Sequence, residues 1–93
     1  MEVQHNGTDK NGLFYIEDDG RQIATMTYVF AGGEKFIIEH TEVHPSFEGK
    51  GLGRKLVQAG VDFAREKGLK ILPLCSYAKR VFDKTPEYKD VLF

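Results

Sequence analysis

The chain has 93 residues, 29% charged and 41% hydrophobic, with 13 Lys and Arg against 14 Asp and Glu. That length fits one domain, residues 1–93, with a single modest core, and a formal charge of −1 argues against bulk electrostatic binding of nucleic acid. No apolar run is long enough to span a membrane, the first ten residues lack the basic and apolar regions of a secretory signal, and one cysteine forms neither an internal disulfide nor a Cys-rich zinc site. A cytoplasmic protein is the expectation.

In chain order, Val3 to His5 is read as a short edge strand. Leu13 to Glu17 is aromatic and β-branched, and Asp18-Asp19-Gly20 after it predicts a hairpin turn. Gln22 to Phe30 alternates with Ile23, Thr25, Thr27 and Val29 on one side and Ala24, Met26, Tyr28 and Phe30 on the other, which predicts a long strand. A second turn at Ala31-Gly32-Gly33-Glu34 leads into a third strand, Lys35 to Val43. There a period of two puts Phe36, Ile38 and His40 on one face and Ile37, Glu39, Thr41 and Val43 on the other. The period then changes. Leu52, Leu56, Val57, Gly60, Phe63 and Ala64 recur in steps of three and four, which predicts an amphipathic helix over Gly51 to Lys67 with Gly68 as its stop. Lys70 to Leu74 is a short strand in which Pro73 marks an edge or a bulge. Tyr77 to Lys84 is a shorter helix ended ahead of Pro86, and the apolar Tyr88–Phe93 tail is expected to dock. The order predicts a mixed α/β (α+β) sheet, mostly antiparallel, with one βαβ crossover.

Chemistry concentrates where the third strand meets the long helix, in His44-Pro45-Ser46-Phe47-Glu48-Gly49-Lys50-Gly51-Leu52-Gly53. Glycines at every second position let a backbone approach a ligand, and a helix N-terminus offers free N–H groups and partial positive charge, so the segment suits a pyrophosphate or another anion. A turn that needs glycine only for its own geometry is the plainer alternative. The spacing is neither that of a dinucleotide fingerprint, Gly-x-Gly-x-x-Gly, nor that of a nucleotide-triphosphate loop, because Arg54-Lys55 follows Gly53.

This stretch resembles the acetyl-CoA pyrophosphate loop, Gln/Arg-x-x-Gly-x-Gly/Ala, of the GNAT N-acetyltransferase superfamily. Nearly the whole chain is similar to small GNAT-like proteins of its own length, through His40-Thr41-Glu42-Val43, the glycine loop and Pro73-Leu74-Cys75-Ser76-Tyr77. The resemblance implies a reduced GNAT fold, with a long helix after the glycine loop and a short C-terminal helix. It implies acetyl-CoA as cosubstrate, cradled by the N–H groups of Gly49, Lys50, Gly51, Leu52, Gly53 and Arg54. Pantetheine would lie between the strand ending at Val43 and the strand Lys70–Leu74. A backbone N–H among Thr41, Glu42 and Val43 would polarise the thioester, and Ser76 and Lys79 would be further cofactor contacts. The chain departs from the pattern in three ways. Glu48 replaces the Gln or Arg of the loop. In the run Cys75-x-x-Ala78-x-x-x-Phe82, Cys replaces Asn and Phe replaces the proton-donating Tyr. A turn replaces the two helices that shape the acceptor groove.

Cys75 and His40 are the catalytic candidates. A thiol at a helix N-terminus is enriched in thiolate and can carry an acyl group, or it can donate a proton to the leaving CoA, and His40 on a neighbouring strand would be its base or ion-pair partner. The plainer readings are a small buried Cys75 and a core His40. Glu42 reaches an acceptor amine or sits on a solvated face. His5 and His44 are read as surface residues, and no two histidines have metal-ligand spacing, so no metal is expected. The function expected is acetyl transfer to an amine on a protein or small molecule, by a monomer or weak dimer without nucleic-acid or membrane partners. A non-catalytic acyl-CoA-binding module is the alternative, and a plain anion-binding or protein-interaction domain a third.

Overall fold

The computed structural model describes all of residues 1–93. Five strands lie in the order of the chain: β1 (Gln4–Gly7), β2 (Asn11–Asp18), β3 (Arg21–Ala31), β4 (Lys35–Val43) and β5 (Lys70–Pro73). The first four are antiparallel, and β5 runs parallel to β4. Helix α1 (Leu52–Lys67) makes the crossover between β4 and β5, and α2 (Ser76–Lys84) follows β5. The β2–β3 turn is the two residues Asp19-Gly20, both at positive φ, the geometry that the right-handed strand twist favours.

One face of the sheet is the core. Phe14, Ile16, Met26, Tyr28, Phe36, Ile38 and Ile71 are each no more than 3% exposed. They join one cluster with Leu56, Val57, Val61 and Ala64 of α1 and Ala78, Val81 and Phe82 of α2. On the opposite face Leu13, Tyr15, Thr25, Thr27 and Val29 are only half-buried. The tail docks in part. A 3₁₀ turn over Pro86–Val91 buries Tyr88 and Val91, whereas Leu92 and Phe93 lie along the outer edge of β5 and stay exposed.

Two bulges interrupt the alternation expected from the sequence. Ile16 pairs with Ala24 and Glu17 with Gln22, so Ile23 is an extra residue, and it is buried together with its neighbour Ala24. Tyr28 pairs with Ile38 and Thr27 with His40, so Glu39 is the extra residue in β4. Every side chain after Glu39 therefore changes face. Thr41 opposes Met26 and Val43 opposes Ala24, on the core side. His40 opposes Thr27 on the other side and is exposed. The expectation that His40 shares a face with Phe36 and Ile38, and Thr41 with Ile37, is corrected by this one inserted residue.

Candidate active site

The parallel pairing of β4 with β5 ends at Ile38 opposite Pro73, although β4 runs on to Val43. At the parting, the N–H groups of Leu74 and Cys75 both donate to Ile38 O. There β5 ends while β4 continues, and a cleft of about 380 Å³ opens, lined by Thr41, Val43, Phe47, Glu48, Gly49, Gly51, Leu52, Gly53, Arg54 and Tyr77. His44 N donates to Ile23 O across β3. By alternation, the N–H groups of Thr41 and Val43 turn away from β3 and into this gap.

The glycine loop forms one wall. Gly49 and Gly51 have φ of 80° and 76°, and Gly51 caps α1 in that left-handed conformation, which a side chain would disfavour. The first backbone bond of α1 is Lys55 N–H to Gly51 O. None of the six N–H groups from Gly49 to Arg54 has a partner within the chain. Six consecutive free donors at the positive end of a 16-residue helix form an anion cradle. Arg54 lines the same wall, and its Nη2 donates to Thr85 Oγ1 at 3.4 Å, which ties the loop end of α1 to the end of α2.

Cys75 is the N-cap of α2 and is half-buried at the parting of the strands. Its Sγ lies 3.5 Å from Thr41 Oγ1. Burial pushes the thiol up. The Ala78 N–H, the Thr41 hydroxyl and the N–H groups of Tyr77 and Thr41 outweigh that effect, and the thiol is held below its ordinary value. The hydrogen bond that the sulfur makes is to the Thr41 hydroxyl, on the strand whose N–H groups are expected to polarise a thioester.

The structure gathers Thr41, Val43, Gly49, Gly51, Leu52, Gly53 and Arg54 around the cleft, with Cys75 bonded to Thr41 at the strand parting. Other residues lie elsewhere. His40 is not the partner of Cys75, because the Glu39 bulge turns it to the far face; Thr41 takes that place. Glu42 is exposed beside Thr25 on the same far face. Lys50 and Ser76 are exposed and do not line the cleft. Lys79 bonds Asp83 at 3.4 Å and borders a separate groove by the C-terminal tail. Phe82 is 5% exposed and packs edge-on against Tyr88.

One site residue, and one contact outside the site, were missed in the sequence. Tyr77 lines the cleft, with its phenol against Gly53, and burial raises its pKa although Arg54 and Arg80 oppose the shift. Its signal was its place as the last residue of the Pro73-Leu74-Cys75-Ser76-Tyr77 motif, to which no role was given. Away from the cleft, His5 is more than a surface residue. Its ring stacks on Phe14 at 4.1 Å and its Nε2 is 2.6 Å from the buried Tyr28 hydroxyl.

Residues 13–91 match the family model described as GCN5-related N-acetyl-transferase. Protein NATD1 of Xenopus tropicalis is 32% identical over 63 residues, 68% of this chain and 58% of that protein, so the chain spans well under two thirds of that relative's length. Protein NATD1 of Gallus gallus is 30% identical over 87 residues, 92% of this chain and 77% of that protein. The solution structure of a GCN5-like protein from Staphylococcus aureus superposes with a TM-score of 0.77 at 38% identity, covering 99% of this chain and 87% of that one. AAC(6′)-Iy, solved in complex with the bisubstrate analogue CoA-S-monomethyl-acetylneamine, shares the fold at a TM-score of 0.60 and 19% identity, over 83% of this chain and 61% of that one. The parting of β4 from β5, the free N–H cradle on α1 and these likenesses agree: the chain belongs to the GCN5-related N-acetyltransferase family.

Proposed function

We propose that the chain is an acetyl-CoA-dependent N-acetyltransferase that moves the acetyl group to an amine by way of Cys75. The observation that carries this reading is the placement of the Cys75 sulfur, held by donors where β4 and β5 part, beside the cleft that the free N–H groups of Gly49 to Arg54 line. The cradle binds the CoA pyrophosphate, and the gap between the strands takes the pantetheine arm. The solved complex of AAC(6′)-Iy with a CoA analogue supports a CoA site in this fold.

In the first step the Cys75 thiolate attacks the carbonyl carbon of the thioester. A bond forms from Sγ to carbon, the carbon–sulfur bond to CoA breaks, and CoA departs as a thiolate that takes a proton from water. The developing oxyanion accepts from strand N–H groups in the gap, of which Val43 N–H is not engaged by sulfur. In the second step an uncharged amine attacks the acetyl-Cys75 carbon, loses a proton to water and releases the thiolate. Exchange of one thiolate for another needs no separate acid, which suits a chain in which Phe82 is buried where the family pattern has a tyrosine. A free thiol in this role suits a reducing compartment, and the cytoplasm is the location we propose.

The same Phe82 favours a second reading, an acyl-CoA-binding module without turnover. Intact-mass analysis after incubation with acetyl-CoA separates the two. The enzyme reading expects a mass gain of one acetyl group on wild type, none on Cys75→Ala, and discharge on addition of an amine. Binding of acetyl-CoA with no acetylation and no amine product would establish the module instead.

A further inference from the structure

Nothing in the sequence pattern assigned a function to the Thr41 side chain; its contribution to the cleft was expected from the backbone alone. The Glu39 bulge changes that. Without the extra residue, β4 would turn His40 toward the core face; with it, Thr41 faces the core side and its hydroxyl lies 3.5 Å from Cys75 Sγ. Thr41 Oγ1 is the one side-chain atom that hydrogen-bonds the thiol. The other titratable or charged groups at this end of the cleft are Tyr77 and Arg80 on α2, Arg54 on α1 and Glu48 in the loop, with His40 and Glu42 across the sheet. None of them bonds the sulfur.

We propose that Thr41 is a positioning residue for acyl transfer: its hydroxyl fixes the Cys75 sulfur between the N-terminus of α2 and the open end of β4, and donates to it when it is a thiolate. This rests on the acyl-transfer reading, but the contact can be tested without it. A threonine is stiff about χ1, because two heavy atoms sit on Cβ. The γ-methyl group and the hydroxyl therefore hold fixed positions, and the hydroxyl is aimed at sulfur by the strand rather than by solvent. Bonding to the charged form favours that form, consistent with the lowered thiol pKa.

The test is the pH dependence of Cys75 alkylation by iodoacetamide in wild type, Thr41→Val and Thr41→Ser. Valine keeps the shape and removes the donor, while serine keeps the donor and loses the methyl group. The expected result is an alkylation midpoint about half to one pH unit higher in Thr41→Val and near wild type in Thr41→Ser. The rate of acetylation by acetyl-CoA near neutral pH should fall by about threefold in Thr41→Val. The thiolate becomes scarcer, while its intrinsic nucleophilicity rises with pKa and recovers part of the loss. An unchanged midpoint in Thr41→Val overturns the assignment, and so does an equal shift in both variants, which would trace the effect to a displaced backbone. If wild type takes up no acetyl group, the acyl-transfer reading falls and with it the catalytic use of Thr41; the alkylation midpoints then still decide whether the hydroxyl holds the sulfur.

Discussion

Gly53 has no room for a side chain. A β-carbon there would lie 2.6 Å from Tyr77 Oη and 2.7 Å from the ring carbon bearing it. The glycine near the end of the loop is thus required by a phenol that packs on it, and not only by the approach of an anion. Alanine is ordinarily better than glycine inside a helix by up to about 1 kcal/mol. In wild type, Gly53→Ala should nevertheless destabilise by about 1–3 kcal/mol, because the Tyr77 ring has to move out of a packed position. In a Tyr77→Ala background the same change should stabilise, by up to about 1 kcal/mol. Urea unfolding of the four proteins reads the coupling; a substitution cost of the same sign in both backgrounds would mean that Tyr77 does not dictate Gly53. How much of the site could be read beforehand follows the same division. The glycine loop, Cys75 and Arg54 were visible because each is a residue type whose chemistry depends on its place along the chain. Tyr77 was passed over because its importance lies in a contact 24 positions away in sequence, between the first turns of two helices.

Among the elements, β1 shows what pattern reading leaves out. Every residue of β1 is exposed, and it pairs only with β2. Gln4 bonds Glu17 and Tyr15 of β2, and one side chain, His5, ties the strand to the core. His5 stacks on Phe14, meets the edge of Phe63 from α1 at 4.7 Å, and shares a hydrogen bond with Tyr28. Burial lowers the His5 pKa below 6.5. The folded state therefore prefers neutral His5 more than the unfolded chain does. The stability this contributes is complete above about pH 6.5, and it is lost as the pH falls through the folded value. Thermal unfolding between pH 5 and 8 should show wild type losing stability on the acid side more steeply than His5→Gln, which keeps polar atoms but does not titrate. Parallel pH profiles would remove His5 as the acid-sensitive latch of β1. The strands and both helices were legible in the alternation and the turn residues, with their ends within two residues. The β4 bulge was not. Glu39 carries no glycine or proline to mark it, and it arises from how β4 registers against β3. One unmarked residue was enough to exchange Thr41 for His40 beside the thiol.

Taken as a whole, the molecule carries a formal charge of −1, yet the anion cradle is built from backbone N–H groups and a helix end with Arg54 beside it. An anion seated there would be held by local donors and would owe little to net charge. The cleft also exists only in the folded state, because its walls come from β4, the α1 loop and the start of α2, which converge only where β4 and β5 part. A ligand seated there must stabilise the whole fold. At 100 times its dissociation constant it adds about 2.7 kcal/mol, and for a domain of this size each kcal/mol raises the melting midpoint by roughly 4–8 °C. Acetyl-CoA at saturation is therefore expected to raise the midpoint by about 10–20 °C. Inorganic phosphate at equal concentration should do far less, since it reaches the cradle but not the gap between the strands. Thr41→Val should retain most of the shift with acetyl-CoA, because that substitution leaves the six N–H donors in place. A shift no larger with acetyl-CoA than with phosphate would mean that the cradle binds simple anions and that the strand gap takes no pantetheine arm, which would remove the ground for acyl transfer at Cys75.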